Sequence, residues 1–246
     1  MSGKSLTEHC FETLSKEVDL QRVPGLDDIE NVKLLNGQDG GGIKVYKGEE
    51  KINKVTLVDF KFGDGIPIPH QNNELSVGAE VFQIQPDFTY KLPIWGINSV
   101  IKKDGGYYFD TDLSFGFDLV MDYEFTTKYL DPFNEVYKKF CNHKDFKRVF
   151  FDETPTWVRT YISPVFVMMT TRVENVDTVY ELCDEFIKCW LTMYKEAAKK
   201  DEAFKQSQLA RIKSQYAGMQ QTDRMGKILM EAYGKETFSK FMKAMM

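Results

Sequence analysis

The chain has 246 residues, 42% of them hydrophobic and 28% charged, with a net charge of −5. That is an ordinary soluble globular balance, enough to bury a core without disulfides or a structural metal. It argues against broad nucleic-acid binding, which needs a basic surface. No segment runs about 18 apolar residues without charge, so no membrane span is expected. The start, Met1-Ser2-Gly3-Lys4, lacks the apolar stretch of a secretory signal. The cytoplasm, or the plastid stroma, is the expected compartment.

In chain order, apolar residues at helical spacing (Leu6, Cys10, Phe11, Leu14, Val18) predict a helix over 5–20, stopped by Pro24-Gly25. Residues 29–48 alternate weakly and read as a hairpin about a flexible Gly40-Gly41-Gly42 turn. Lys54–Phe62 is a strand with Val55, Leu57, Asp59 and Lys61 on one face and Thr56, Val58, Phe60 and Phe62 on the other. Further strands are predicted at Ala79–Gln85, Ile94–Lys102 and, after the Asp104-Gly105-Gly106 turn, Tyr107–Phe117. Short turns between them imply an antiparallel sheet, because parallel strands need long crossovers.

The pattern changes after residue 127. Leu130–Cys141 reads as a helix opened by Asp131-Pro132. Strands are predicted at Val149–Phe151 and Thr160–Met169, then a long amphipathic helix over Val176–Lys199 and helices over 203–214 and 222–244. Strands in the middle with helices at both ends make an α+β fold, a sheet covered by helices, in one domain spanning 1–246.

Cofactor fingerprints are missing. Cys10, Cys141, Cys183 and Cys189 form no CxxC pair and read as reduced thiols. His9, His70 and His143 are scattered away from metal-ligand spacing, so no metal is expected. There is no GxSxG elbow, dinucleotide fingerprint or Walker loop.

Three ordered segments carry a resemblance. They are Val81-Phe82-Gln83-Ile84-Gln85-Pro86 running on to Leu92-Pro93-Ile94-Trp95-Gly96-Ile97-Asn98, then Tyr161-Ile162-Ser163-Pro164-Val165-Phe166-Val167, then Asp223 through Gly234. Together they resemble the ferredoxin-dependent bilin reductases over roughly residues 80–246. The red chlorophyll catabolite reductases, of the same fold, share parts of the pattern. The resemblance implies a three-layer α/β/α sandwich with a central antiparallel sheet, and a bilin cleft between the sheet and the C-terminal helices. It also implies phycobilin biosynthesis, with reduction of a linear tetrapyrrole (biliverdin or dihydrobiliverdin) by single electrons through a radical. Reduced ferredoxin or flavodoxin would be the external donor, with no tightly bound cofactor. The expected state is a monomer acting without nucleic acid or membrane. The alternatives are a non-catalytic tetrapyrrole-binding protein and a reductase of a chlorophyll-derived open tetrapyrrole.

Residue by residue, Asp223 matches the family's C-terminal aspartate, a proton relay if burial raises its pKa; it also suits a helix N-cap. Asn98 stands where the family usually has a catalytic aspartate, and an amide can bind substrate but not release a proton. Val81 replaces a histidine of some members. Met168 replaces a propionate-binding arginine, with Arg159 and Arg172 as nearby alternatives. Asp59 is a loose match to a carboxylate that some members carry on its strand. Phe82, Phe88, Trp95 and Phe166 are candidates to wall a flat tetrapyrrole, or to be core. Lys102-Lys103, or Lys199-Lys200 with Lys205 and Arg211, would offer positive charge to an acidic donor.

Overall fold

The computed structural model describes residues 4–68, 74–149, 156–221 and 225–245. Among these, nine strands form one sheet: β1 (Leu20–Arg22), β2 (Val32–Lys33), β3 (Asp39–Gly48), β4 (Ile52–Ile68), β5 (Glu74–Pro86), β6 (Ile94–Lys102), β7 (Gly106–Ser114), β8 (Lys147–Arg148) and β9 (Val167–Arg172). The order is β1-β3-β4-β5-β6-β7-β9-β8, with β2 also on β3, and every pair is antiparallel. Antiparallel pairing of consecutive strands makes β3 through β7 a meander.

The helices are α1 (Leu6–Ser15), α2 (Tyr123–Phe125), α3 (Asp131–Cys141), α4 (Val176–Glu196), α5 (Glu202–Gln220), α6 (Met225–Tyr233) and α7 (Lys235–Met245). Helix α1 opens with a capping box: the Ser5 side chain accepts from the Glu8 N–H, and the Glu8 carboxylate accepts from Ser5 N–H. Pro132 stands in the first turn of α3, where a missing N–H costs nothing.

Period-2 alternation decides which helices each face receives. Val55, Leu57, Phe82, Ile84, Trp95, Ile97, Phe109 and Val167 pack against α1, α3 and α4 in the main core. Trp95 and Trp190 are both fully buried there, each contributing about 3 kcal/mol by area. Both also find hydrogen-bond acceptors, Trp95 on the Thr111 hydroxyl at 2.9 Å and Trp190 on the Pro93 carbonyl at 3.0 Å. The other face carries Ile43, Val45, Val58, Phe60 and Phe62, covered by Tyr233 and Phe241 of α6 and α7. Helix α5 rests on Phe88 and Ile94 through Ile212. Helices on both faces of an antiparallel sheet make the expected α/β/α sandwich.

Several local expectations need correction. The three glycines form no flexible turn; they lie inside β3. Gly41 has φ +70, and a Cβ there would collide with the Asp59 carbonyl, while one on Gly42 would collide with Glu30. At Gly40 an added Cβ would stand 2.8 Å from the Tyr233 ring, whose hydroxyl donates to the Gly40 carbonyl at 2.7 Å. The glycines are there because backbone and helix approach the strand closely. The helix expected over 5–20 stops at Ser15, and Leu20–Arg22 joins the sheet. The predicted Thr160–Met169 strand starts only at Val167; residues 156–161 wind as a 3-10 turn, and Phe166 N–H closes a turn on Ser163. The strand placed at Val149–Phe151 is Lys147–Arg148; residues 150 and 151 fall outside the described range. The single helix expected over 222–244 breaks at Gly234, whose φ of 82 lets α6 end and α7 begin.

Candidate functional site

Between α5 on one side and α6–α7 on the other, the second face of the sheet stays partly open. The strand registers lay one row across it: Val58 opposite Val81, Val81 opposite Asn98, Asn98 opposite Asp110 and Asp110 opposite Met168. Val58 is buried beneath α6–α7, Val81, Asp110 and Met168 are half-buried, and Asn98 is exposed. The row therefore runs out of the core into an accessible polar floor. Sequence reasoning singled out Val81, Asn98 and Met168 separately; the sheet brings all three into this one row.

Gly96 lies two residues from Asn98 on the same face. An added Cβ would meet nothing closer than 3.6 Å. Neither backbone conformation nor crowding requires this glycine, so its effect is to leave clearance above the floor. At the row's edge Gln83 donates from Nε2 to the Tyr216 hydroxyl at 3.3 Å, tying α5 to β5.

Two carboxylates were missed from the sequence. Asp110 accepts from the Asn98 amide at 2.7 Å and from the Tyr108 hydroxyl. Asp112 accepts from the N–H groups of Leu113, at 2.8 Å, and Ser163, at 3.2 Å to each oxygen. Both are deep among protein atoms although part of each stays accessible. Burial pushes Asp110 up to about 6 against the pull of its two hydrogen bonds. Burial pushes Asp112 up to about 7 against the pull of its bonds from Ser163 and Leu113. The hairpin held the signal for Asp110: it and Asn98 stand equally far either side of Asp104 at the turn, so an antiparallel register must pair them.

Other expected residues lie elsewhere. Asp59 pairs across to Glu80 on the opposite face, toward α1, and burial raises its pKa. It cannot meet Asn98 through the sheet. Trp95 and Phe82 are fully buried on that same far face, and Phe88 is buried beneath Ile212 of α5. These three rings are core, not walls of the strip. Strand parity explains Trp95: three residues from Asn98 is an odd step, hence the opposite face. Phe166 is half-buried two residues before Met168. Arg172 is exposed on the Met168 face, about 13 Å along β9 by strand rise, with Nε 3.6 Å from Glu174. Arg159 is exposed on the 3-10 turn. Asp223 and His70 lie outside the described residues.

Of the lysines considered for donor docking, Lys102 pairs with Glu74 and Lys103 donates to the Asp64 carbonyl at 2.9 Å. Lys205 and Arg211 each stand 3.9 Å from an acid, Glu202 and Asp118. Among the described residues no group of three or more His, Cys, Asp or Glu is arranged to hold a metal, and no helix is long and apolar enough to cross a membrane.

Comparison with known proteins bears on the fold and the family. A solved structure, phytochromobilin synthase from tomato in complex with biliverdin, superposes with a TM-score of 0.71 at 12% identity, covering 96% of this chain and 82% of that one. At such identity the likeness concerns the fold. A search of the curated proteins finds no match. The sequence profile of a family described as ferredoxin-dependent bilin reductase matches residues 72–246, which include β5, β6, β7 and the whole C-terminal helical part. That match spans well over half of the sequence, and this chain belongs to the ferredoxin-dependent bilin reductase family.

Proposed function

We propose that the open strip of the sheet binds a linear tetrapyrrole, biliverdin or dihydrobiliverdin, and that the protein reduces one of its double bonds. The observation that carries this is the row Val81–Asn98–Asp110–Met168: a solvent-reached stretch of the sheet between covering helices, with the raised Asp110 carboxyl in it and Gly96 and Asp112 paired in the next row. A planar conjugated ligand suits such a floor. Its pyrrole N–H groups and lactam oxygens need acceptors and donors, and an asparagine amide supplies both.

Each double bond takes two electrons and two protons. Electrons come singly from reduced ferredoxin or flavodoxin, so the ligand holds an unpaired electron between steps and no resident cofactor is required. The chain's part is to position the bilin, to hold its propionates, and to supply protons at chosen atoms. Arg172, exposed on the strip's own face, and Arg159 serve as propionate partners in this reading; guanidinium matches carboxylate bidentately. Asp223 is retained, by the family pattern, as a proton relay, and Asn98 positions the substrate.

The test is anaerobic incubation of the purified protein with biliverdin and a ferredoxin-reducing system, with binding followed by absorbance and products by chromatography. A shifted bilin spectrum and a reduced bilin product are expected. No spectral change on titration with biliverdin or dihydrobiliverdin overturns the proposal. Binding without turnover under reducing conditions identifies a tetrapyrrole carrier instead.

A further inference from the structure

We infer that Asp110 donates a proton to the bound bilin, with Asn98 and Tyr108 holding its carboxyl toward the strip; this rests on the bilin-reducing function proposed above. Three observations lead to it.

The first is position. Asn98 and Asp110 form a cross-strand pair between β6 and β7, and both side chains stand on the open face. Asn98 is exposed to solvent there. A ligand lying on the floor and touching the Asn98 amide is therefore within one strand spacing, about 5 Å, of Asp110.

The second is how the two strip carboxylates are engaged. Asp112 is held by the backbone N–H of Leu113, by the backbone N–H of Ser163 to both oxygens, and by the Ser163 side chain, and so fixes the loop that leads into β9. Among the described residues Asp110 takes side-chain donors alone, the Asn98 amide at 2.7 Å and the Tyr108 hydroxyl. A carboxylate has about four lone-pair sites, so Asp110 retains capacity for a ligand. Its partners can also turn with it as charge develops.

The third is the role left to Asn98. An amide cannot release a proton, but its nitrogen donates to Asp110. Its oxygen then remains to accept from a pyrrole N–H. Asn98 thus couples the ligand to the acid on the next strand. The acidity of Asp110 agrees: burial raises it to about 6, where a general acid works efficiently near neutral pH.

The step balances as follows. The bilin takes one electron from a reduced one-electron iron–sulfur donor. The Asp110 O–H bond breaks and a C–H bond forms at the reduced double bond. A second electron from the same class of donor and a second proton from water complete CH–CH, and the Asp110 carboxylate recovers its proton from solvent. The groups facing Asp110 are Asn98 from β6, Tyr108 and Asp112 on β7 itself, and Met168 from β9. The Tyr216 hydroxyl of α5 stands over the same face, on Gln83.

The experiment compares wild type with Asp110→Asn under the ferredoxin-reducing system. It reads bilin affinity by absorbance, the organic radical by electron spin resonance, and product by chromatography. Asp110→Asn is expected to bind bilin within about threefold of wild type and to take the first electron. Its radical then accumulates, and product forms about 10²- to 10⁴-fold more slowly. Asp110→Glu is expected to restore part of the rate. Tyr108→Phe guards against misfolding of the first variant. It removes a hydrogen bond that favours the charged form of Asp110, so the fall in rate with rising pH moves to higher pH. The inference is overturned if Asp110→Asn makes product within about threefold of the wild-type rate, or if the Tyr108→Phe profile does not move. In both cases the wild type still turns over, and the bilin-reducing function stands. A wild type that neither binds nor reduces bilin overturns both.

Discussion

Glu80 separates the folding of this sheet from its chemistry. Its side chain is only 5% exposed, beneath the start of α1, on the face away from the open strip. It accepts from Leu6 N–H at 3.2 and 3.3 Å and from the Ser99 hydroxyl at 3.2 Å. Burial first, and the Asp59 charge second, push its pKa from 4.5 up to about 7; the Leu6 and Ser99 hydrogen bonds only partly oppose this. In the unfolded chain the group returns to its ordinary value. Between the two values the folded protein holds a proton that the unfolded chain has released. The unfolding free energy therefore falls as pH rises. The Glu80 contribution is whole below the unfolded pKa and is lost as pH rises through the folded one. At 1.36 kcal/mol for each pKa unit, integration from pH 5 to pH 8 gives a loss of about 2.5 kcal/mol. Glu80→Gln keeps a carbonyl oxygen for the Leu6 N–H and cannot ionise. Urea unfolding at the two pH values is expected to show a pH-dependent loss about 2 kcal/mol smaller in the variant than in wild type, with bilin affinity unchanged. Equal losses in the two proteins would refute the buried-carboxyl account.

Three further outcomes follow from the same structure. Gly96→Val is expected to fold with wild-type stability within about 1 kcal/mol, since its Cβ has room. It should weaken bilin binding at least about tenfold by filling the clearance over the floor, and an absorbance titration checks this. Gly41→Ala combines a left-handed φ of +70 with a collision against the Asp59 backbone. It should cost at least about 2 kcal/mol in denaturant unfolding. Trp95→Phe should lower stability by about 1–3 kcal/mol, through lost packing and loss of the indole N–H bond to the Thr111 hydroxyl, which keeps its own bond to the Gly96 carbonyl; the spectrum of bound bilin should be unchanged, because the ring is walled off from the strip.

Much of the architecture was legible along the chain. Alternation in β4 assigned Val55 and Leu57 to one face and Val58, Phe60 and Phe62 to the other, and the two cores divide on that line. β6 falls at its predicted bounds, and α3 starts one residue after its own. The misses share a cause: a tertiary contact overrode a local signal. Three consecutive glycines have turn composition, yet here they accommodate Asp59, Glu30 and Tyr233 against a strand. Residues 160–166 alternate like a strand, yet the Asp112 carboxylate captures Ser163 N–H and holds the segment in a turn. The site was legible in pieces. Val81, Asn98 and Met168 stood out by comparison with a family pattern, whereas Asp110 had no pattern to match and needed the register of the β6–β7 hairpin.

Period and turn chemistry act over a few residues, so the sequence by itself determined the meander, the order of the C-terminal helices and the face each strand residue takes. It also carried the family likeness, in three short segments, two of which lie wholly in the described residues and all of which fall within the family match over residues 72–246. Only the tertiary structure decided which face remains open. Both faces of β5 and β6 carry apolar residues, and composition cannot say which one the helices will leave bare. The position of α5 against Phe88 and Ile94, and of α6–α7 against Phe60, leaves the row through Asn98 uncovered. That placement separates Trp95 and Asp59, which stay on the covered face, from Asp110, which lies beside Asn98 on the open one, because side chains that are close in sequence point to opposite faces of a sheet at every odd step.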